Sequence, residues 1–181
     1  MSSQSAVKAA VRWVRANAAQ HGIDPDRIGA IGGSAGAHLV TMLGTSDKEP
    51  KLEGDGGNPG VSSRVQAVVA MATPADMSNF AERTKIDAAL AALISPITHV
   101  SKDSAPILLM HGTQDRTVPI AQSELLLARY QKAGASAEFF KVEGAPHAFW
   151  NGEWFDDTLK RAVEFFRKQL SATSVAGGAG N

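Results

Sequence analysis

Between residues 28 and 39 the sequence reads IGAIGGSAGAHL, a pattern of short strand, sharp turn and helix with a serine at the apex. Ile28, Ala30 and Ile31 make the apolar strand, and His38, Leu39, Val40, Met42 and Leu43 fall in a helix expected from Ala35 to Gly44. The core of the stretch, Gly32-Gly33-Ser34-Ala35-Gly36, fits the G-x-S-x-G elbow. In that turn the serine oxygen is lifted clear of the backbone, and glycines let strand and helix close around it. Ser34 is therefore the candidate nucleophile. A plain helix N-cap is the competing reading, since a cap needs only an oxygen that accepts a backbone N–H. Partners elsewhere in the chain must decide between the two.

The 181 residues, 44% of them hydrophobic, suffice for one domain with its own core, expected over residues 1–170. Eighteen basic and eighteen acidic residues cancel without forming a basic stripe, so no attraction to nucleic acid or to an anionic membrane is expected. No apolar run reaches the length of a membrane span, and the first five residues lack the layout of a secretion signal. Cysteine is absent, which removes disulfides and thiolate metal sites and fits a cytoplasmic location. No histidine spacing suggests a metal, and no cofactor is expected.

Residues 5–20 carry Val7, Val11, Val14 and Ala18 at helical spacing, with Arg12, Arg15 and Gln20 on the other side, as in an amphipathic helix ending at Gly22. A turn over 23–27 leads into the elbow strand. Residues 47–63, rich in glycine with Pro50 and Pro59, read as an exposed loop. Val65 to Met71 is almost continuously apolar, as expected of a strand covered on both faces in a parallel sheet. A short helix over 87–94 and a third strand over 106–112 follow, then a helix over 120–133 closed by Gly134. A fourth strand covers 138–142 and a last helix 154–170, with Leu159, Val163 and Phe166 along one face. Residues 171–181 are small and polar and are expected to be disordered. The alternation implies an α/β domain: a parallel sheet of about four strands with helices on both faces and right-handed crossovers.

In such sheets ligands sit beyond the carboxyl ends of the strands. Asp115 lies just after the third strand, in GTQDRTVP, and His147 just after the fourth, in GAPHAF. The order Ser34, Asp115, His147 is the one used by α/β-hydrolases. An imidazole can take the serine proton, and a carboxylate can hold that imidazole in the productive tautomer. Each residue has a plainer reading too: Asp115 as a turn cap, His147 as a loop histidine packed on Phe149 or Trp150. Of the other histidines, His21 and His99 fall in surface segments, His38 lies inside the elbow helix, and His111 supports the loop glycine after it.

Taken together, GGSAGAHL (32–39), SRVQAVV (63–69), SPI (95–97), HGTQDRTVP (111–119) and GAPHAF (144–149) resemble the carboxylesterase/lipase branch of the α/β-hydrolases. The likeness is to its feruloyl-esterase-like and acetylxylan-esterase-like members and spans about residues 6–170. It implies Ser34 as nucleophile, His147 as general base and Asp115 as its orienting carboxylate. It also implies the Ala35 N–H as an oxyanion donor, with Gly33 beside it in the oxyanion and substrate-binding region. The implied reaction is cleavage of small esters through an acyl-enzyme. A serine peptidase of the same fold, or a catalytically impaired fragment acting as a structural or binding protein, are the alternatives.

Ala37 stands where these relatives often carry glycine. Against the same pattern the chain starts at the helix before the elbow, without the family's first strands and H-G-G-G loop. A minimal or truncated hydrolase with half the usual sheet is therefore expected. The elbow strand would then be a bare edge, which invites pairing with a second chain. A homodimer through that edge and the helix over 5–20, with Trp13 on its exposed surface, is the corresponding expectation.

Overall fold

Runs of β-branched and aliphatic residues, too short for helices, build the sheet. In the computed structural model, which describes residues 2–171, β1 (Gly29–Gly33), β2 (Ala67–Met71), β3 (Ile107–Gly112) and β4 (Ala137–Val142) lie side by side in chain order. Every neighbouring pair is parallel. The register aligns Gly33 with Met71, Met71 with Met110, and Gly112 with Val142, so the carboxyl ends finish together. The expected disordered tail falls on residues 172–181, outside the described residues, apart from Ser171.

Strand periodicity sorts the apolar side chains to two faces. Val68, Ala70, Ile107 and Leu109 point to one, where they join Ala37 and Leu43 of α2 (Ala35–Thr45) and Leu126 and Tyr130 of α7 (Ala121–Ala133). Ala67, Val69, Leu108 and Met110 point to the other and pack on Ala162 and Phe165 of α8 (Phe155–Leu170). Fully burying one valine, leucine or isoleucine contributes about 1.5–3 kcal/mol, so the layered core is the main support of the fold. The expected four-stranded parallel sheet with helices on both faces is what the molecule has. Short helices α4 (Ala81–Thr84), α5 (Ala88–Leu93) and α6 (Pro96–His99) fill the β2–β3 crossover.

Three expectations need correction. Residues 47–63 are not simply an exposed loop: they contain a helical turn, α3 (Pro50–Glu53), with Leu52 buried. The first helix, α1 (Ser3–Ala16), does not face solvent on the Arg12 side. Its most buried face carries Gln4, Lys8, Val11 and Arg12 and rests on α2 and α3. One physical cause explains both. Lys8 Nζ meets Glu53 Oε2 at 2.9 Å and the Ser46 carbonyl at 2.9 Å, while Arg12 donates to Glu53 Oε1 at 2.5 Å and to the Gly56 carbonyl. Buried charges need such partners, and the polar stretch supplies them.

The third correction concerns α8. Its core face carries Thr158, Ala162 and Phe165, whereas Leu159 and Val163 are 45% and 38% exposed. Leu159 lies beside Ile31 of β1, the edge strand among the described residues, and Ile31 is itself 48% exposed. Apolar surface is thus left exposed on α8 and, separately, on α1 at half-exposed Trp13, whose ring is tilted against that of His21.

The Glu53 cluster has a measurable signature. Burial pushes the Glu53 carboxyl up, but hydrogen bonds from Lys8 and Ser63, the charge of Lys8 and the bond from Arg12 outweigh it and hold the group below its ordinary value. A carboxylate depressed by folding adds stability above its unfolded pKa, about 4.3, and loses it as the pH falls through the lower folded value. Glu53→Gln is expected to lower stability at neutral pH by about 2–3 kcal/mol. Removing one partner of a buried pair does more damage, and partial exposure of Glu53 reduces the figure. Urea titrations at neutral pH and near pH 4 check it, since the gap between variant and parent should narrow on the acid side.

Candidate active site

The β1–α2 junction is tight for a stated reason. A Cβ at Gly32 would lie 2.4 Å from the Gly36 carbonyl oxygen and 2.9 Å from the Ala37 nitrogen, so only glycine lets the helix start against the strand. At the apex Ser34 adopts φ 54° and ψ −119°, a region that is strained by about 1–3 kcal/mol for a residue with a side chain. Its N–H bonds the Met71 carbonyl at 2.8 Å, which anchors the turn to β2. The strain is held by packing on both sides, and the hydroxyl projects from the turn.

The loops after β3 and β4 are tied to each other by Gln114 N–H to the Ala145 carbonyl (3.0 Å), Thr113 N–H to the Val142 carbonyl (3.1 Å) and Gly144 N–H to Thr113 Oγ1 (2.9 Å). This pairing carries His147 to Ser34. His147 Nε2 stands 2.8 Å from Ser34 Oγ, and its Nδ1 stands 2.7 Å from Asp115 Oδ2. The other carboxylate oxygen, Oδ1, accepts the N–H groups of Thr117 (2.8 Å) and Val118 (2.9 Å). The Asp115 side chain is fully buried. Burial by itself would raise its pKa, but the bonds from His147, Val118 and Thr117 prevail and hold it below the ordinary carboxylate range. Asp115 is thus an ionised acceptor facing Nδ1, which fixes the Nδ1–H tautomer and leaves Nε2 free to accept the serine proton.

Ser34, Asp115 and His147 are therefore brought together, and the N-cap and loop-histidine readings do not account for their geometry. Ala35 opens α2, so its N–H is among the first-turn donors that have no intrahelical acceptor. Gly33 sits differently. Strand alternation turns its N–H toward the open edge, because that of Ser34 faces β2. A Cβ on Gly33 would meet the Trp150 indole at 2.9–3.1 Å. Trp150 also stands edge-on to His147 with ring centroids 5.7 Å apart. His38 and His99 bond the carbonyls of Ile94 and Leu93, away from the serine. His111, by contrast, lies 3.2 Å from Asp115 Oδ2, a proximity that its place four residues before Asp115 at the end of a buried strand could have signalled.

The family model that matches, BD-FAE, covers residues 3–130 of this chain, including Ser34 and Asp115. The chain belongs to the BD-FAE family. It is accordingly an α/β-hydrolase, as the sequence resemblance implied. Among curated proteins it is 35% identical over 163 residues to Esterase LipQ of Mycobacterium tuberculosis, a match over 79% of this chain and 38% of that protein. A probable carboxylic ester hydrolase of the same organism, LipM, is 31% identical over 94% of this chain and 44% of its own length. The BD-FAE chain thus spans about two fifths of the length of these curated relatives.

Solved structures agree in fold. A truncated form of a carbohydrate esterase from gut microbiota is 35% identical, with a TM-score of 0.79 over 92% of this chain and 68% of that one. Butyrate-bound esterase 2 of Thermogutta terrifontis is 30% identical, with a TM-score of 0.82 over 93% of this BD-FAE chain and 66% of its own.

Proposed function

We propose that this chain is a serine carboxylesterase that cleaves small esters through an acyl-enzyme on Ser34. The observation that carries the reading is the continuous relay from Asp115 through His147 to a serine on a strained elbow, with contacts of 2.7 and 2.8 Å. Ser34 Oγ attacks the ester carbonyl carbon as its proton passes to His147 Nε2. The oxygen of the tetrahedral intermediate is met by the Ala35 N–H at the positive end of α2. His147 then gives the proton to the departing alcohol. Water repeats the sequence to release the acid and restore Ser34.

The relatives favour short acyl groups: Thermogutta terrifontis esterase 2 has been solved with propionate and with butyrate bound. The carbohydrate esterase from gut microbiota supports sugar-linked esters as the wider class. The same Thermogutta esterase is phosphorylated by paraoxon, which suggests the test. Incubation of this chain with paraoxon is expected to add a single diethylphosphoryl group, located on Ser34 by peptide mass spectrometry. The label should vanish in Ser34→Ala and become very slow in His147→Ala. An unlabelled parent chain would mean that Ser34 is not activated, which is the inactive-fragment alternative. Parallel assays on ester and amide substrates distinguish an esterase from a peptidase.

A further inference from the structure

His111 is the next-to-last residue of β3, and its ring is completely buried. Its Nδ1 lies 2.7 Å from Ser123 Oγ on α7, and its Nε2 lies 2.9 Å from the Val118 carbonyl oxygen and 3.2 Å from Asp115 Oδ2. Both groups that face Nε2 are acceptors, so that nitrogen must carry the proton. Nδ1 is then the acceptor, and the Ser123 hydroxyl donates to it. Burial disfavours the charged ring more than the Val118 carbonyl and Asp115 favour it, and the pKa of His111 is lowered accordingly. Glu124 on α7 and Lys141 on β4 pair with each other at the surface, 2.7 Å apart, so Asp115 and His147 are the ionisable groups with which this ring interacts.

The backbone of residue 118 is consequently gripped at two points. Its carbonyl accepts a hydrogen bond from His111 Nε2–H, and its N–H donates to Asp115 Oδ1. An unbroken series of donors and acceptors follows: Ser123, His111, residue 118, Asp115, His147, Ser34. Each link fixes the next, and α7 anchors the whole.

Resting on the esterase reading above, we propose that His111 is a positioning residue for the reaction. In its neutral Nε2–H form it clamps residue 118, aims the Asp115 carboxylate at His147, and turns its own N–H dipole toward the same oxygen. It never touches substrate. Its effect therefore belongs to the chemical step and not to substrate binding.

The tautomer can be read without any turnover. In ¹⁵N-histidine-labelled protein at neutral pH, His111 is expected to show a protonated Nε2 and a bare Nδ1, as its two acceptors at Nε2 and the Ser123 hydroxyl at Nδ1 require. A proton on Nδ1 at neutral pH overturns the proposal whether or not the protein is an esterase. Kinetics supply the second arm. His111→Leu fills the space but removes the donor, and it is expected to lower kcat by roughly tenfold or more, as loss of an outer partner does behind a metal-bound histidine, with KM little changed. His111→Gln returns an N–H near the same place and is expected to recover most of that loss. Equal losses in the two variants at matched folded fractions, or a loss confined to KM, would mean that His111 only fills space. If neither variant folds, Ser123→Ala, which removes the donor to Nδ1, should reproduce a milder kcat loss, and full activity there counts against the series. A parent chain with the expected tautomer but no paraoxon labelling would defeat the esterase reading instead.

Discussion

Ser34→Ala is expected to abolish ester turnover, a loss on the order of 10⁶-fold in kcat, with binding of substrate little affected. The expectation follows from geometry. Ser34 Oγ is the atom placed 2.8 Å from a histidine nitrogen whose tautomer is already set, and among the described residues no other hydroxyl bonds that nitrogen. His147→Ala should fall nearly as far, because a serine hydroxyl without a base is a poor nucleophile at neutral pH. The double variant should be no worse than either single one, since members of one catalytic unit do not add. Asp115→Asn should cost about 10⁴-fold: an amide can turn its N–H toward His147 and stabilise the wrong tautomer while leaving the site intact. Single-turnover assays on a p-nitrophenyl ester, with circular dichroism to confirm folding, measure all four. Additive losses, or turnover surviving in Ser34→Ala, would defeat the acyl-enzyme reading.

The parts that were legible in the sequence share a property: each is set by local pattern. The buried strands announce themselves because Ala67 to Met71 and Ile107 to Met110 are apolar on both faces, as a covered parallel sheet requires. The approach of Ser34, Asp115 and His147 was legible because candidate residues just after strand ends share one side of such a sheet, and the aligned carboxyl ends of β1 to β4 bring those loops together. What failed was long-range pairing of polar groups. Arg12 looks like part of a solvated helix face until Glu53, more than forty positions away, is seen to pair with both Arg12 and Lys8. Residues 47–63 look unstructured for the same reason, since Leu52 and Glu53 acquire their roles only against α1. The apolar stripe of α8 was read correctly as apolar, but periodicity cannot say how wide a surface a four-stranded sheet offers it. The sheet reaches Ala162 and Phe165 and leaves Leu159 and Val163 outside.

The two glycines that define the elbow motif are expected to behave in opposite ways. In Gly32→Ala the new methyl would stand 2.4 Å from the Gly36 oxygen, 2.5 Å from the Gly36 carbonyl carbon and 2.9 Å from the Ala37 nitrogen. All three are backbone atoms at the start of α2, so no side chain can swing aside. Relief requires the helix to move away from β1, against the Ser34–Met71 hydrogen bond and the packing of Ala37 beneath the turn. Overpacking of this kind costs about 1–3 kcal/mol. The same movement carries Ser34 away from His147, and a displacement of about 1 Å is enough to cost roughly 10²-fold in rate. At Gly36 an added Cβ meets nothing within 4 Å, and the residue lies in the first turn of α2 with no unusual backbone demand. Gly36→Ala should therefore keep its activity and gain up to about 1 kcal/mol from helix propensity. Thermal melts and kcat on the same ester separate the two: parallel damage in both variants would mean that the turn, and not the Gly32 contact, sets the requirement for glycine.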